Sequence, residues 1–333
     1  MRALVRTAAA IMALGGIHVL LWAAVKTPTA VLQQSAQPRL PYVARAAIVA
    51  DLPHTPRLAE GLASLGGGVM VESFLFPDAN NNHNHVRAID TRTGRELRNS
   101  TAPNTTVVPP DIGKAAMGIT VLDARVLQAT WDGSIIFEYR APSLDFVRAH
   151  VAKLGSRNAG LAADGSSTLY STDGACALVH VDASSFEVMR TLPIMDNRLG
   201  RRVCEVYDLT FVGDELWGTL YPLNGTDPNS LSALAASSEC LVRLDPTSGT
   251  VLGWVDVRGL LEQQQAVKLT NFSLPPSNYP YSHMMSGVEY ARETRTLVVT
   301  GKEWDRMYHL RAEPAPELGP EHVERVCQLS ALV

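Results

Sequence analysis

From residue 42 onward, short runs of β-branched and aromatic residues, each closed by Gly, Asp or Asn, recur as one repeating unit. Few folds accommodate such a pattern. Each unit opens on a Gly-aliphatic pair or its equivalent: Gly61-Leu62, Gly118-Ile119, Gly160-Leu161, Asp208-Leu209 and Gly287-Val288. It runs through a turn into a strand, as in SSTLYSTDG, DELWGTLY and TRTLVVTGK. It closes in a hairpin led by aspartate, as in Asp90-Thr-Arg-Thr-Gly94, Asp182-Ala-Ser-Ser and Asp245-Pro-Thr-Ser-Gly249. The openings lie 57 (61 to 118), 42 (118 to 160), 48 (160 to 208) and 79 (208 to 287) residues apart. A four-stranded propeller blade takes roughly 40 to 50 residues, so two intervals fit directly and two carry insertions. The insertions are PDANNNHNH and NSTAPNTTVVPP in the first interval, and NGTDPNSLSALAASS and QQQAVKLTNFSLPPSNYPYS in the last. The expectation is an all-β, five-bladed β-propeller over residues 42–314, whose radial packing leaves few open strand edges.

The first 26 residues do not belong to this pattern. Arg2 and Arg6 precede an apolar run from Thr7 to Val25, interrupted by His18 and followed by Lys26. Such a run can span a bilayer as a helix, and no convincing small-x-small cleavage site follows it. A transmembrane signal anchor is therefore preferred to a cleaved signal peptide. The leading arginines would stay cytoplasmic, placing the rest of the chain in the lumen or outside as a type II membrane protein. Residues 27–41, polar and proline-bearing, read as a stalk, and residues 315–333 as a tail with one short amphipathic helix. Four Asn-x-Ser/Thr triplets, at Asn99, Asn104, Asn224 and Asn271, fit glycosylation in the secretory pathway. Cys176, Cys204, Cys240 and Cys327 lack CxxC spacing, which argues against zinc, and their pairing cannot be read from sequence. His83 and His85 fall in an asparagine-rich stretch and read as a solvated insertion loop. With 29 Lys+Arg against 33 Asp+Glu, the chain lacks the basic excess that nucleic-acid binding requires.

A sharper indication of function comes from phrases. LPHTPRLAEGL, QATWDG, GLAADGSSTLYSTDG, CLVRLDPTSGTVLGWVDVRGL and SGVEYARETRTLVVTGKEWDRMYHL occur in that order between about Pro53 and Leu310. Together they resemble the plant-type glutaminyl-peptide cyclotransferases. The resemblance implies a five-bladed propeller that acts as a transferase on peptides or proteins with N-terminal glutamine, without metal or other cofactor. It closes the glutamine into pyroglutamate and releases ammonia. Because the attacking amine and the carboxamide belong to one residue, such a site must fix the conformer, move a proton and stabilise an oxyanion.

Carried over residue by residue, the resemblance assigns Lys302 of VTGK to the family lysine that polarises the carboxamide oxygen. Trp131 of QATW matches a tryptophan of the pocket wall. Other positions depart from the family. Leu58-Ala59-Glu60-Gly61-Leu62 replaces Phe-Thr-Gln-Gly-Leu, and Met117 stands where Gly-Glu-Gly supplies the proton-transfer glutamate. Ala159 replaces a tryptophan, Tyr207 an asparagine and Tyr221 another tryptophan. Methionine cannot carry a proton, so Glu60 becomes the first candidate for a relocated acid-base group. Glu289 and Asp208, on other first strands, stand behind it. The substrate pocket is then expected to comprise Trp131, Met117, Tyr221 and Tyr207, with Lys302 and Glu60 catalytic. The competing reading is a catalytically inactive propeller that binds a peptide end or glycan.

Overall fold

A computed structural model describes residues 40–75, 84–101, 115–154, 160–220, 240–260, 263 and 284–327. All of these lie in the compact unit 40–333. The expected anchor and most of the stalk fall outside them, as do Asn104, Ala159, Tyr221, Asn224 and Asn271. Among the described residues no helix is long and apolar enough to cross a membrane.

The described chain is almost entirely β. It opens with β1 (Val43–Pro53), followed by a four-stranded antiparallel sheet of β2 (Leu58–Gly66), β3 (Val69–Leu75), β4 (Asn84–Asp90) and β5 (Glu96–Thr101). A second such sheet holds β6 (Ala116–Leu122), β7 (Arg125–Thr130), β8 (Ile135–Arg140) and β9 (Asp145–Val151). The third holds β10 (Leu161–Ala163), β11 (Thr168–Thr172), β12 (Ala177–Asp182) and β13 (Val188–Pro193). A ribbon of β14 (Met195–Asp196) and β15 (Arg201–Arg202) leads to β16 (Val206–Val212), β17 (Glu215–Leu220), β18 (Cys240–Leu244) and β19 (Val251–Asp256). The last strands are β20 (Met285–Ala291), β21 (Thr296–Gly301) and β22 (Arg306–Pro314). An eight-stranded sheet, ordered β16-β17-β18-β19-β1-β22-β21-β20, joins two four-strand runs through the parallel pairing of β1 with β19. β1 thus completes the C-terminal run from the other end of the chain, antiparallel to β22. Its alanine-rich sequence, VARAAIVADLP, lacks the β-branched alternation that marks the other strands, so the sequence reading passed over it.

Each expected unit opening lies on or immediately before the first strand of a four-strand run. These strands, β2, β6, β10, β16 and β20, form a closed circuit of neighbours. They are mostly buried, whereas the fourth strands β5, β9 and β13 are largely exposed. The opening glycines allow this convergence. A Cβ on Gly160 would lie 2.0 Å from the Tyr207 carbonyl oxygen, and one on Gly61 3.1 Å from both Gly118 Cα and Asp208 Oδ1. Asp208 takes the glycine's place in the fourth opening. Its Oδ2 accepts the backbone N–H groups of Leu62 (3.2 Å) and Val288 (2.9 Å), binding three first strands together.

The closing turns follow from their aspartates. Asp90, Asp182 and Asp245 accept the N–H two residues on, from Arg92, Ser184 and Thr247, at 2.8 to 2.9 Å. The cysteines pair as Cys176–Cys204 and Cys240–Cys327. The second bridge ties the tail to β18 directly after helix α1 (Pro320–Val326), whose buried face is His322, Val323 and Val326. One expectation is corrected: His85 is a residue of β4, not of a solvated loop. It stacks on Phe74 at 5.1 Å, and its Nδ1 hydrogen-bonds Thr101 Oγ1 at 2.9 Å, because the strand already starts at Asn84.

Candidate active site

Five sequence-predicted residues converge at one end of the first strands. Glu60 comes from β2, Met117 from β6 and Tyr207 from β16, all one residue before the level of the opening glycines. Lys302 follows β21, where its N–H donates to the Met284 carbonyl at 2.9 Å. Its ammonium lies 3.0 Å from Glu60 Oε2 and 5.4 Å from the centre of the Tyr207 ring. The Tyr207 hydroxyl donates to the same Glu60 oxygen and lies 3.6 Å from Met117 Sδ. Met117, Tyr207 and Met284 pack as one apolar cluster, with the partly exposed Trp131 against it. The turn carrying Trp131 is fixed by Asp132, which accepts bonds from Thr130 and Ser134, and by Trp131 N–H donating to the Ala115 carbonyl. Met284 is a wall residue that sequence reasoning missed, since nothing in SHMMSG distinguishes it from ordinary core.

Glu60 and Lys302 are both about 1% exposed. Burial raises the Glu60 carboxyl above its ordinary range, opposed by the Lys302 charge and by hydrogen bonds from Tyr207 and Lys302. A carboxyl shifted in this direction is a better proton acceptor than an ordinary carboxylate. Backbone strain flanks both ends of the cluster. Glu205, two residues before Tyr207, and Glu303, next to Lys302, take left-handed φ values of 57° and 59°. Non-glycine residues adopt that region rarely, and at functional sites it re-aims neighbouring side chains.

The two reserve carboxylates lie elsewhere. Asp208 is fully buried at the glycine level and engaged by backbone N–H groups; burial holds its carboxyl well above the usual range. Glu289 lies beyond that level, on a cavity of about 350 Å³ lined also by Ser64, Thr120, Asp123, Thr210, Arg292 and Glu293. Burial pushes its carboxyl up to about 8, against the hydrogen bond from the Thr210 hydroxyl (2.9 Å) and the Arg292 charge. Neither is placed to act beside Lys302.

Glu289 has a consequence for stability. The native state keeps its proton up to about pH 8, whereas an unfolded glutamate releases it near 4.5. Stability is therefore highest below about pH 4.5 with respect to this group, and falls as pH rises toward 8. Glu289→Gln should flatten that slope and, with a discount for its partial exposure, add on the order of 2 kcal/mol at neutral pH. Urea unfolding at pH 5 and pH 8 checks this, and identical pH slopes in both proteins would refute it.

Comparison with known proteins assigns the chain to a family. A family model described as glutamine cyclotransferase matches residues 19–312. The glutaminyl-peptide cyclotransferase of Arabidopsis thaliana is 26% identical over 288 residues, covering 84% of this chain and 75% of that protein. The crystal structure of Myxococcus xanthus glutaminyl cyclase superposes with a TM-score of 0.64 at 18% identity, covering 83% of this chain and 99% of that one. At that identity the superposition speaks for the fold. Together with the residue match along most of its length, these findings make the chain a member of the glutamine cyclotransferase family.

Proposed function

We propose that the chain is a glutaminyl-peptide cyclotransferase that converts N-terminal glutamine of peptides or proteins to pyroglutamate and releases ammonia, using Glu60 as its acid-base group. The observation that carries this reading is the buried Glu60 carboxylate 3.0 Å from Lys302, beside the Met117 that replaces the family's glutamate. The substrate glutamine would enter past Trp131 and lie against Met117, Met284 and the Tyr207 ring. Tyr221, outside the described residues, is proposed as a further wall.

In the reaction the α-amine attacks the side-chain carboxamide carbon, a C–N bond forms, and Glu60 takes the amine proton. An ammonium has three donors, so Lys302 can hold Glu60 and also stabilise the oxyanion. Glu60 then gives the proton to the amide nitrogen, the old C–N bond breaks and ammonia leaves. The Tyr207 hydroxyl keeps Glu60 in place throughout.

The five four-strand runs are read as five propeller blades, with the site at one mouth of the central channel. The closed circuit of first strands supports this count. Membrane anchoring through residues 1–26, with a luminal or extracellular domain, rests on Arg2, Arg6 and the apolar run between Thr7 and Val25. Asn99, exposed on β5, is accessible as a glycan acceptor. A non-catalytic binding module is favoured by the departures at Glu60, Met117, Ala159 and Tyr207, and the Glu60–Lys302 pair outweighs them.

The test is to incubate the full-length protein with a short Gln-initiated peptide and measure ammonia and pyroglutamate. Turnover above the spontaneous rate is expected. Its absence from folded protein between about pH 6 and 9 would overturn the enzyme reading.

A further inference from the structure

Lys302 and Glu60 come from opposite ends of the chain, and a second buried assembly joins the segments that carry them. Residues 54–57 connect β1 to β2, and Glu60 is the third residue of β2. This connector grips the turn at 302–305 with three hydrogen bonds. His54 N–H donates to the Asp305 carbonyl (2.8 Å), His54 Nδ1 to the Trp304 carbonyl (2.8 Å), and Glu303 N–H to the Arg57 carbonyl (2.6 Å).

The imidazole is itself clamped from behind. His54 Nε2 lies 2.7 Å from Glu72 Oε1, and Arg87 Nε donates to Glu72 Oε2 at 2.6 Å. Arg87 Nη2 lies 2.8 Å from His54 Nε2 and donates to the Thr55 carbonyl at 2.9 Å. Glu72 and Arg87 are directly opposite each other on β3 and β4. All three side chains are buried, and although burial pushes the Glu72 carboxyl up, Arg87 and His54 together hold it down to about 2. A charged assembly of this kind, wholly out of water, holds its geometry because losing any member strands the others.

We infer that His54, backed by Glu72 and Arg87, is a positioning residue that sets the separation of Lys302 from Glu60 through the Trp304 carbonyl; the inference rests on the cyclotransferase reading above. Misplacing a catalytic group by about 1 Å from a distance can cost on the order of 10²-fold in rate.

The experiment compares His54→Ala, His54→Asn and His54→Gln in the full-length protein, alone and with Lys302→Ala. Two quantities are read: kcat and KM on a Gln-initiated peptide, and titration of the Glu60 carboxyl by ¹³C NMR. The groups facing that carboxyl are Lys302 from the turn after β21, Tyr207 from β16 and the uncharged Met117 from β6. With Lys302 displaced, burial of Glu60 is less opposed, so Glu60 should titrate at higher pH and the acid limb of kcat should move with it. His54→Ala should lower kcat about 10- to 100-fold, with KM changed less than about threefold.

Asparagine can place a donor where Nδ1 stands, whereas glutamine reaches toward Glu72 and loses the bond to the Trp304 carbonyl. His54→Asn, which keeps the bond to the turn but loses the contact with Glu72 and Arg87, should therefore keep more of the wild-type behaviour than His54→Gln, which should resemble His54→Ala. If His54→Ala does not fold, the Asn and Gln pair decides alone. In the Lys302→Ala background the His54 variants should no longer shift Glu60. An unchanged Glu60 titration in folded His54→Gln, or an equal shift without Lys302, would overturn the inference. A wild-type protein without turnover would defeat the cyclotransferase reading, while the Glu60 titration would still decide the positioning.

Discussion

Glu60→Gln should lower kcat by about 10²- to 10⁴-fold with little change in KM, the cost of losing a general acid-base group. Lys302→Ala should cost about 10²- to 10³-fold, the usual loss when one oxyanion donor is removed. The double variant should be little worse than the poorer single one, because the two groups act on one transition state and contact each other at 3.0 Å. A reconstruction makes the argument sharper. Glu60→Gln combined with Met117→Glu restores the glutamine and glutamate of the family pattern on adjacent first strands, and should recover at least about tenfold of the lost rate. The pH profile adds an independent check. Burial raises the Glu60 carboxyl, so activity should fall as pH drops through a value above the ordinary carboxylate range, and that limb should disappear in Glu60→Gln. Steady-state kinetics with an ammonia-coupled readout measures all of this. Full kcat in folded Glu60→Gln would remove Glu60 from the mechanism.

Much of the candidate site was legible as family phrases set against a visible repeat. Glu60, Met117 and Tyr207 were assigned by resemblance, and each stands one residue before a unit opening, where the structure brings the first strands together. Lys302 came from a phrase, VTGKEW, rather than from periodicity. What sequence could not supply was direction. Tyr207 aligned with a substrate-binding asparagine, and only the folded chain shows its hydroxyl turned onto Glu60. His54 stood in plain view in LPHTPRLAEGL, yet its partners Trp304, Glu72 and Arg87 are 250, 18 and 33 residues away. The disulfide pairing likewise depends on contacts between segments 28 and 87 residues apart. β1 escaped notice for a different reason: a strand that completes a sheet from the far end of the chain need carry no local hairpin signal.

Gly160→Ala should be severely destabilising. Its Cβ would lie 2.0 Å from the Tyr207 carbonyl oxygen and 3.0 Å from the carbonyl carbon, with Leu209 Cγ at 3.2 Å. The obstacle is backbone, which cannot rotate away as a side-chain tip can. β10 and β16 must therefore separate, in a place where Asp208 already ties β16 to β2 and β20. Overpacking of this kind costs about 3 kcal/mol or more. Gly287→Ala should be milder, because its nearest obstacles, Thr300 Cγ2 at 2.8 Å and Leu62 Cγ at 3.0 Å, are side chains that can shift. Gly165→Ala meets nothing within 4 Å and bears only the strain of its φ of +81°, about 1 kcal/mol. Urea unfolding of the three variants should rank them in that order. Where Gly160→Ala still folds, it should also lose activity, because the peptide it displaces belongs to Tyr207, whose hydroxyl holds Glu60. A Gly160→Ala protein within about 1 kcal/mol of wild type would mean that the first strands do not meet as closely as the glycine openings require. The same close approach that makes the repeat readable in the sequence also fixes the position of Glu60, the proposed proton-transfer group.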